Sequence, residues 1–385
     1  MLAIIGPYPT EHNEKDGMVR RVQKIDDSFK GIKRIYLDIS FKRLSCSKRR
    51  IDNDVTVYWI NFFILFWYAL YLCCKAKVIY VHSIYNSLKI LPVYFFNKTI
   101  ITDMHGVVVE EIKLNKKHSR FLIVGGVLIY KFVEWIAVKH SKRLVAVTET
   151  MKSYYGKKYN IIKDKIKVIP IFDSNQESII NRNKNIPASF IYSGGIQPWQ
   201  CIDETINFVV KTSEKFKWTI LSGNERYFKS RLSSIKFKYP ITIKSVSPSE
   251  VKKYYLSNDF GIILREDNIV NRVACPTKLI EYIQSGLIPV VSSPYIGDFY
   301  DLGYKYITVD EIIHRDKYNK TKLNDMARVN YGVLRHLRNQ TTENLKWLNN
   351  FIRDGLKNEK SFSFWSWRNF WRSRTVFFFK VKLFN

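Results

Sequence analysis

The sequence predicts an α/β protein with two doubly wound, Rossmann-like domains that face each other across a cleft. Short apolar runs rich in β-branched residues alternate with amphipathic stretches, as in parallel sheets covered by helices. A chain of 385 residues suits two domains better than one core. Polar, patternless residues at 172–187 divide the runs into two groups. The eleven runs lie at 2–5, 33–38, 78–82, 99–102, 143–148, 166–171, 189–193, 217–222, 240–244, 260–264 and 287–292.

These divisions give a first domain at 1–172, a linker at 173–187, a second domain at 188–350 and a tail at 351–385. A hydrophobic content of 46% excludes a disordered chain, because enough apolar surface exists to offset the entropy lost on folding. The net charge of +29 indicates attraction to an anionic partner. Nucleic acid, acidic lipid headgroups and phosphorylated substrates all meet that description.

The amino-terminal run at 2–5 reads as a first strand, and a loop containing Gly6 and Pro7 follows it. No charged segment precedes the run, and Gly6-Pro7 interrupts it, so we expect no signal peptide. The five cysteines show neither C-x-x-C spacing nor an even framework, which indicates a reducing compartment and no zinc site. The expected location is the cytoplasm.

Residues 55–74 carry no charge and are long enough to cross a bilayer as one helix. A crossing would put residues 1–54 and 78–105 on opposite sides of the membrane, although the strand pattern needs both in one sheet. We therefore favour a strand followed by a helix that is buried or rests on a membrane surface. The transmembrane helix remains the alternative.

The second domain contains the most informative segment, Pro276 to Val291. Residues 279–285 read as one or two amphipathic turns, Gly286 can end the helix in the left-handed conformation, and 287–291 reads as a strand. We expect Glu281 near the helix N-terminus, where the dipole favours its charge and also an anionic diphosphate.

The tail has no acidic residue after Glu359 and interleaves aromatic with basic residues. This composition suits a bilayer interface, where rings lie among headgroups and cations meet acidic lipid. The alternative is a terminal helix that packs back across the first domain.

Several segments together resemble the GT-B glycosyltransferases, closest to family 4, whose members transfer a sugar from a nucleotide diphosphate with retention. The segments are Ile4-Ile5-Gly6-Pro7-Tyr8-Pro9, Asp16-Gly17-Met18-Val19-Arg20-Arg21-Val22, Val78-Ile79-Tyr80-Val81-His82-Ser83, Ile101-Thr102-Asp103-Met104-His105-Gly106 with Glu110-Glu111, Tyr192-Ser193-Gly194-Gly195 with Trp199-Gln200, and Pro276-Thr277-Lys278-Leu279-Ile280-Glu281-Tyr282. They span most of residues 1–300. The resemblance implies the GT-B architecture.

The resemblance also implies roles for residues of the donor site. Glu281 would bind the ribose hydroxyls of the donor through charge-assisted hydrogen bonds. The family's second glutamate, eight positions earlier, is replaced by Val273, so Asn271 or Glu266 would contact sugar hydroxyls instead. The family's arginine and lysine after the first strand of the second domain are missing as well. In their place, the side chains of Arg265, Arg272 and Lys278 would supply positive charge to the phosphates. Gly17, Gly194 and Gly195 would let the backbone approach the phosphates closely.

His105 follows an apolar strand and adjoins Gly106, so we expect its side chain to point into the cleft. The resemblance makes it a candidate to contact the transferred sugar or to assist the acceptor hydroxyl. Asp103 and Glu110 would orient its ring or accept the acceptor's proton. The family's retaining chemistry implies no covalent intermediate. Asp52-Asn53-Asp54 matches a metal-diphosphate pattern of the other large glycosyltransferase fold, but its setting indicates a surface turn, and we expect no metal and no cofactor.

The predicted function is a metal-independent hexosyltransferase that adds a sugar to a polyprenyl-diphosphate-linked saccharide in bacterial O-antigen or capsule assembly. Its partners would be a nucleotide-sugar donor, that acceptor and the anionic inner face of the plasma membrane, where it would be peripheral. The alternatives are a sugar-nucleotide epimerase of the same fold and a non-catalytic membrane partner. A nucleic-acid-binding protein is disfavoured, because the cations are dispersed and no recognition motif occurs.

Overall fold

The computed structural model describes residues 1–11, 13, 17–96, 98–114, 119–170, 188–314 and 318–358. The predicted linker at 173–187 and the aromatic tail beyond residue 358 lie outside the described residues.

The first domain is built on an eight-stranded sheet with the order β3-β4-β2-β1-β5-β6-β7-β8. Its strands are β1 (Leu2–Ile5), β2 (Arg34–Ser40), β3 (Ser47–Arg50), β4 (Val55–Asn61), β5 (Val78–His82), β6 (Thr99–Met104), β7 (Arg143–Ala146) and β8 (Ile166–Val168). Every pair is parallel except the antiparallel pair β3 and β4. The helices are α1 (Gly17–Asp27), α2 (Phe62–Lys75), α3 (Ile84–Ser87), α4 (Val108–Leu114), α5 (Arg120–His140) and α6 (Glu149–Tyr159), with 3₁₀ segments at Leu88–Phe95 and Lys163–Lys165.

The second domain is built on a six-stranded parallel sheet with the order β11-β10-β9-β12-β13-β14. Its strands are β9 (Ser189–Ser193), β10 (Lys217–Leu221), β11 (Thr242–Lys244), β12 (Phe260–Ile262), β13 (Ile288–Val291) and β14 (Ile307–Thr308). Its helices are α7 (Ile202–Thr212), α8 (Glu225–Leu232), α9 (Pro248–Leu256), α10 (Ile269–Arg272), α11 (Thr277–Gln284) and α12 (Val309–Ile313), with a 3₁₀ turn at Pro198–Gln200.

The last described helix, α13 (Lys320–Asn358), runs from the second domain back to the first. Leu323 packs in the core of the second sheet, whereas Leu348 and Ile352 pack in the core between α1 and the first sheet. Gly355 permits this close approach, because a Cβ at that position would lie 2.9 Å from Val78 Cγ2. The described part of the predicted tail therefore returns to the first domain.

Each of the eleven apolar runs contains a strand, and the two parallel sheets confirm the predicted fold class. Residues 55–74 form β4 followed by α2, so the transmembrane alternative is wrong for this segment. Asp52 lies in the turn between β3 and β4, where its Oδ1 accepts hydrogen bonds from Asp54 N and Val55 N, which confirms the surface turn.

Two strands were not predicted. The sequence of β3 is Ser-Lys-Arg-Arg, and all four residues are exposed at the sheet edge, so it lacks the apolar signal of a buried strand. The strand β14 has only two residues, too few for a pattern.

Candidate functional site

The carboxyl ends of both sheets meet at one cleft, and direct bonds cross it. Arg20 Nη1 of α1 donates to Glu281 Oε1 of α11 at 2.6 Å. Thr148 Oγ1, just after β7, donates to the Val273 carbonyl at 2.7 Å. Asp298 accepts from the backbone N–H groups of Glu149 and Thr150 at the start of α6, at 2.7 and 2.9 Å. The cleft is the edge at which ligands bind in doubly wound sheets.

Glu281 lies in the cleft, but it is the fifth residue of α11, and the first turn of that helix holds no acidic residue. The expectation that the helix N-terminus stabilises its charge is therefore wrong, because the helix begins at Thr277 rather than Leu279. Its carboxylate is held instead by Arg20 and by the hydroxyl of Tyr255, which donates to Oε2 at 3.0 Å. Sequence reasoning missed both partners.

Lys278 lies one helical turn before Glu281 and reaches the loop after β9. Its Nζ donates to Gln200 Oε1 at 2.8 Å and lies 4.3 Å from the centroid of the Tyr192 ring. Gly194 has a φ of +154°, a backbone conformation that favours glycine, and a Cβ there would lie 2.4 Å from Lys278 Nζ, so the lysine would also have to move. Burial, followed by the charge of Arg265, lowers the pKa of Lys278 to about 7.

Arg265, just after β12, is the second cation at this loop. Its side chain is only 8% exposed, and burial lowers its pKa to about 10. Nη1 donates to Asn271 Oδ1 at 2.9 Å, while Nε has no hydrogen-bond partner among the described residues. Among the residues that the structure describes, no carboxylate oxygen lies within 4.0 Å of the charged nitrogens of Arg265 or Lys278. Two cations thus share a confined site without an anion in contact.

The remaining predicted donor residues are placed differently. Arg272 is exposed and paired with Asp267 through bonds of 2.5 and 2.8 Å, so it does not join the other two cations. Asn271 is buried, and its amide is used to hold Arg265 and the Glu266 carbonyl. Gly195 adjoins the cation pair, and its carbonyl accepts a hydrogen bond from the Tyr192 hydroxyl. Gly17 begins α1, with open space at its Cα.

On the first-domain side, Asp103 is fully buried and anchors His105. Arg21 makes a bidentate ion pair with Asp103, with 2.6 Å from Nη2 to Oδ1 and 3.0 Å from Nε to Oδ2. Burial by itself would raise the pKa of Asp103, but Arg21 and His105 hold it well below its usual range. His105 Nε2 lies 3.2 Å from Asp103 Oδ2, so Asp103 orients the His105 ring.

His82 extends the same network. Its Nδ1 lies 3.2 Å from His105 Nε2 and 3.5 Å from Asp103 Oδ2, and burial lowers its pKa to about 4. His82, Asp103 and His105 are ligand types for a metal ion and lie close enough to share one. Arg21 and the Tyr80 hydroxyl already occupy the Asp103 carboxylate, and a divalent ion would add charge beside the buried Arg21. The network therefore suits hydrogen bonds among these side chains better than a metal ion.

The two adjacent glutamates of α4 differ in environment. Glu110 pairs with Lys113 at 2.6 Å and accepts from the Tyr154 hydroxyl at 3.1 Å. Glu111 lies against the loop of His105, since a Cβ at Gly106 would collide with its Oε1, and burial raises its pKa. Sequence reasoning named Glu110 and missed Glu111 as the carboxyl group nearer to this loop.

No protein-family model matches the sequence, and no curated protein matches it. The structure of Anabaena Alr3699/HepE in complex with UDP and glucose is similar, with a TM-score of 0.63 and 10% identity over 91% of this chain and 100% of that chain. An α,α-trehalose-phosphate synthase (UDP-forming) from Burkholderia vietnamiensis gives a TM-score of 0.59 and 11% identity over 93% and 98%. The lipopolysaccharide outer core galactosyltransferase WaaB gives 0.55 and 12% over 90% and 99%. These similarities establish the GT-B fold of glycosyltransferases for this chain.

Proposed function

We propose that the protein is a glycosyltransferase that moves a hexosyl group from a nucleotide-diphosphate donor to a lipid-linked saccharide. The observation that supports this most directly is the cation pair Lys278 and Arg265, which shares the cleft without a contacting carboxylate. Holding two positive charges in a confined site is costly unless an anion joins them. A diphosphate supplies that anion, and the absence of a side chain at Gly194 lets Lys278 Nζ lie close to the backbone of this loop.

The donor is proposed to bind with its ribose at Glu281 and its diphosphate at the cation pair. Lys278 and Glu281 are three residues apart on α11, so they lie on one face of the helix. Solved structures with this fold include HepE with UDP-glucose and an E. coli trehalose-6-phosphate protein bound with UDP-2-fluoro glucose. This supports a nucleotide sugar as the ligand class.

The chemistry is proposed to be retaining, metal-independent and without a covalent intermediate. As the glycosidic bond breaks, Lys278 and Arg265 stabilise the negative charge that develops on the leaving diphosphate. The ring of His105, oriented by Asp103, contacts the transferred sugar or the acceptor hydroxyl. Asp103 itself is committed to Arg21, so in this mechanism it positions His105 rather than attacking the sugar.

The acceptor is proposed to be a polyprenyl-diphosphate-linked saccharide at the inner face of the plasma membrane, in bacterial O-antigen or capsule assembly. The excess of basic residues, with a net charge of +29, supports an anionic lipid and an anionic membrane surface. Release of nucleotide only when acceptor lipid is present distinguishes this transferase from an epimerase of the same fold.

The donor site is tested by thermal unfolding with UDP, GDP, ADP and CMP in turn. A ligand at about 100 times its Kd stabilises the native state by roughly 2.7 kcal/mol. We expect one diphosphate to raise the Tm of the wild type, and Glu281→Ala and Lys278→Gln to lose most of that response. Arg272→Ala is the matched control, because this cation pairs with Asp267 at the surface. Absence of any response in the wild type, or equal loss in the control, would contradict the proposed site.

A further inference from the structure

The helix α5 exposes an unusual number of large apolar side chains. Phe121 is 86% exposed, Leu122 61%, Leu128 63% and Phe132 56%. Val124, Ile129 and Trp135 are exposed as well. Of the described helices, α5 is the one that is both long and apolar enough to cross a membrane. Water is a poor solvent for this much contiguous apolar surface, so the surface requires a partner.

A membrane crossing by α5 is excluded by its place in the sheet. The helix connects β6 to β7, which are adjacent and parallel, so both ends of the connection belong to the same side. The carboxyl-terminal half of α5 also packs against the sheet, with Val133, Ile136 and Ala137 fully buried. Glu134, fully buried in this half, bonds to Lys158 Nζ at 2.5 Å. The helix can lie on a bilayer but cannot span it.

A second apolar group lies on the same side of the sheet. Phe63, Ile64 and Trp67 in the first turns of α2 are exposed, and Phe41 of the loop between β2 and β3 touches the Phe62 and Phe63 rings. The buried residues of α2 and α5 share a core cluster with Ile79 and Val81 of β5, and both helices contact the 3₁₀ segment Leu88–Phe95, so they cover the same face of the first sheet. Each helix starts beyond the carboxyl end of a strand, α2 after β4 and α5 after β6 and α4. The exposed first turns of α2 therefore lie at the cleft edge, whereas the exposed side chains of α5 extend from Phe121 to Trp135, along most of that helix.

The charged residues around this surface indicate the kind of partner that it binds. Arg120 and Lys131 of α5 and Lys42 of the loop before β3 are exposed cations. The sequence has no acidic residue between 112 and 133, and the single acid of α5, Glu134, is buried. Apolar side chains bordered by cations match the interface of a bilayer that contains anionic lipid.

We propose that α5, the first turns of α2 and the loop at 41–44 form a docking surface that enters the headgroup region of an anionic lipid bilayer. We name these residues the docking face. Tyr155 connects it to the candidate site, since its single hydroxyl proton is shared between two acceptors, the Gly106 carbonyl at 3.2 Å and Glu134 Oε2 at 3.1 Å. The docking face thus holds the His105 side of the cleft at the membrane surface. This last step rests on the proposed function, because a lipid-linked acceptor would enter from there.

The test is co-sedimentation of the full chain with phosphatidylcholine vesicles, with and without phosphatidylglycerol. We expect the wild type to bind and phosphatidylglycerol to strengthen binding. The variant Leu122→Ser/Leu128→Ser/Phe132→Ser should lower the partition coefficient by at least roughly tenfold, because three exposed side chains lose their burial in lipid. Arg120→Gln/Lys131→Gln should remove mainly the increment from phosphatidylglycerol.

The matched control is Ile162→Ser/Leu256→Ser/Val329→Ser, which removes three exposed apolar side chains outside the docking face. It should bind vesicles like the wild type. The proposal is overturned if the wild type does not bind, or if the α5 triple variant binds equally well, in which case the aromatic tail accounts for binding. It is also overturned if the triple variant converts a dimer to a monomer without lipid, since the face would then contact a second copy. The nucleotide-induced Tm shift, measured on the same variants, tests the donor site separately.

Discussion

Lys278 should make nucleotide binding depend on pH near neutrality. Its pKa is lowered to about 7 by burial and by Arg265, so the side chain is about half protonated at pH 7 in the free protein. A bound diphosphate favours the ammonium form, because an opposite charge at contact raises the pKa of a lysine. Above pH 7, binding must therefore be accompanied by uptake of a proton, and affinity must fall as pH rises.

The magnitude follows from that pKa. If the bound diphosphate restores the lysine to its ordinary range, affinity is proportional to the protonated fraction in the free protein. This fraction falls from about one-half at pH 7.0 to about one-thirtieth at pH 8.5, which weakens binding roughly 15-fold, or about 1.6 kcal/mol.

The assay is titration calorimetry with the diphosphate that stabilises the protein, between pH 7.0 and 8.5 in buffers of different ionisation enthalpy. The wild type should take up close to one proton per ligand at the upper end of this range. Lys278→Gln should bind more weakly and show almost no dependence on pH, which separates the lysine from the titration of the ligand itself. Equal pH slopes in the wild type and Lys278→Gln would refute the reasoning.

Two further perturbations test the contacts on either side of the cleft. Asp103→Asn leaves Arg21 buried without its counter-charge, and we expect a loss of about 3–5 kcal/mol of unfolding free energy in urea. The pKa of Asp103 is lower in the folded than in the unfolded protein, so its contribution to unfolding free energy is present above its ordinary pKa and is lost as pH falls below it. The difference in unfolding free energy between the wild type and Asp103→Asn should therefore shrink in acid. A difference below about 1 kcal/mol at pH 7 would argue against Asp103 as the counter-charge of Arg21. Arg20→Gln frees one oxygen of Glu281 for the donor. Because both side chains are about one-quarter exposed, the Arg20–Glu281 ion pair contributes at most about 1 kcal/mol. Nucleotide affinity, measured by calorimetry, should therefore rise by no more than about fivefold. A weaker affinity would instead mean that Arg20 binds the donor directly.

The strands were accessible from the sequence because buried parallel strands leave an apolar signal in each short segment. All eleven apolar runs contain strands, whereas the charged β3 and the two-residue β14 left no such signal. A topological argument, not a local one, excluded a membrane crossing by the uncharged segment, since the strands before and after it must lie in one sheet; the segment forms β4 and α2.

The candidate site was predictable only in part. Glu281, Lys278, His105 and Gly194 were found from motifs, and the structure places all four at the cleft. Arg272 was wrongly grouped with the phosphate-binding cations, because Asp267, five residues earlier, pairs with it at the surface. Arg21 was missed, although its place four residues before the buried Ile25 put a cation on the apolar face of α1.

What the sequence alone determined was the periodic arrangement of strands and helices, the division into two groups and the residue types at the loops. These properties depend on neighbours within a few positions, and local patterns encode them. The tertiary structure decided which cations meet and which carboxylates are already paired. Lys278 reaches Gln200 across 78 positions of the chain, and Arg20 reaches Glu281 across 261. Such pairs depend on the strand order and on the docking of the two domains, so no local pattern could have revealed them.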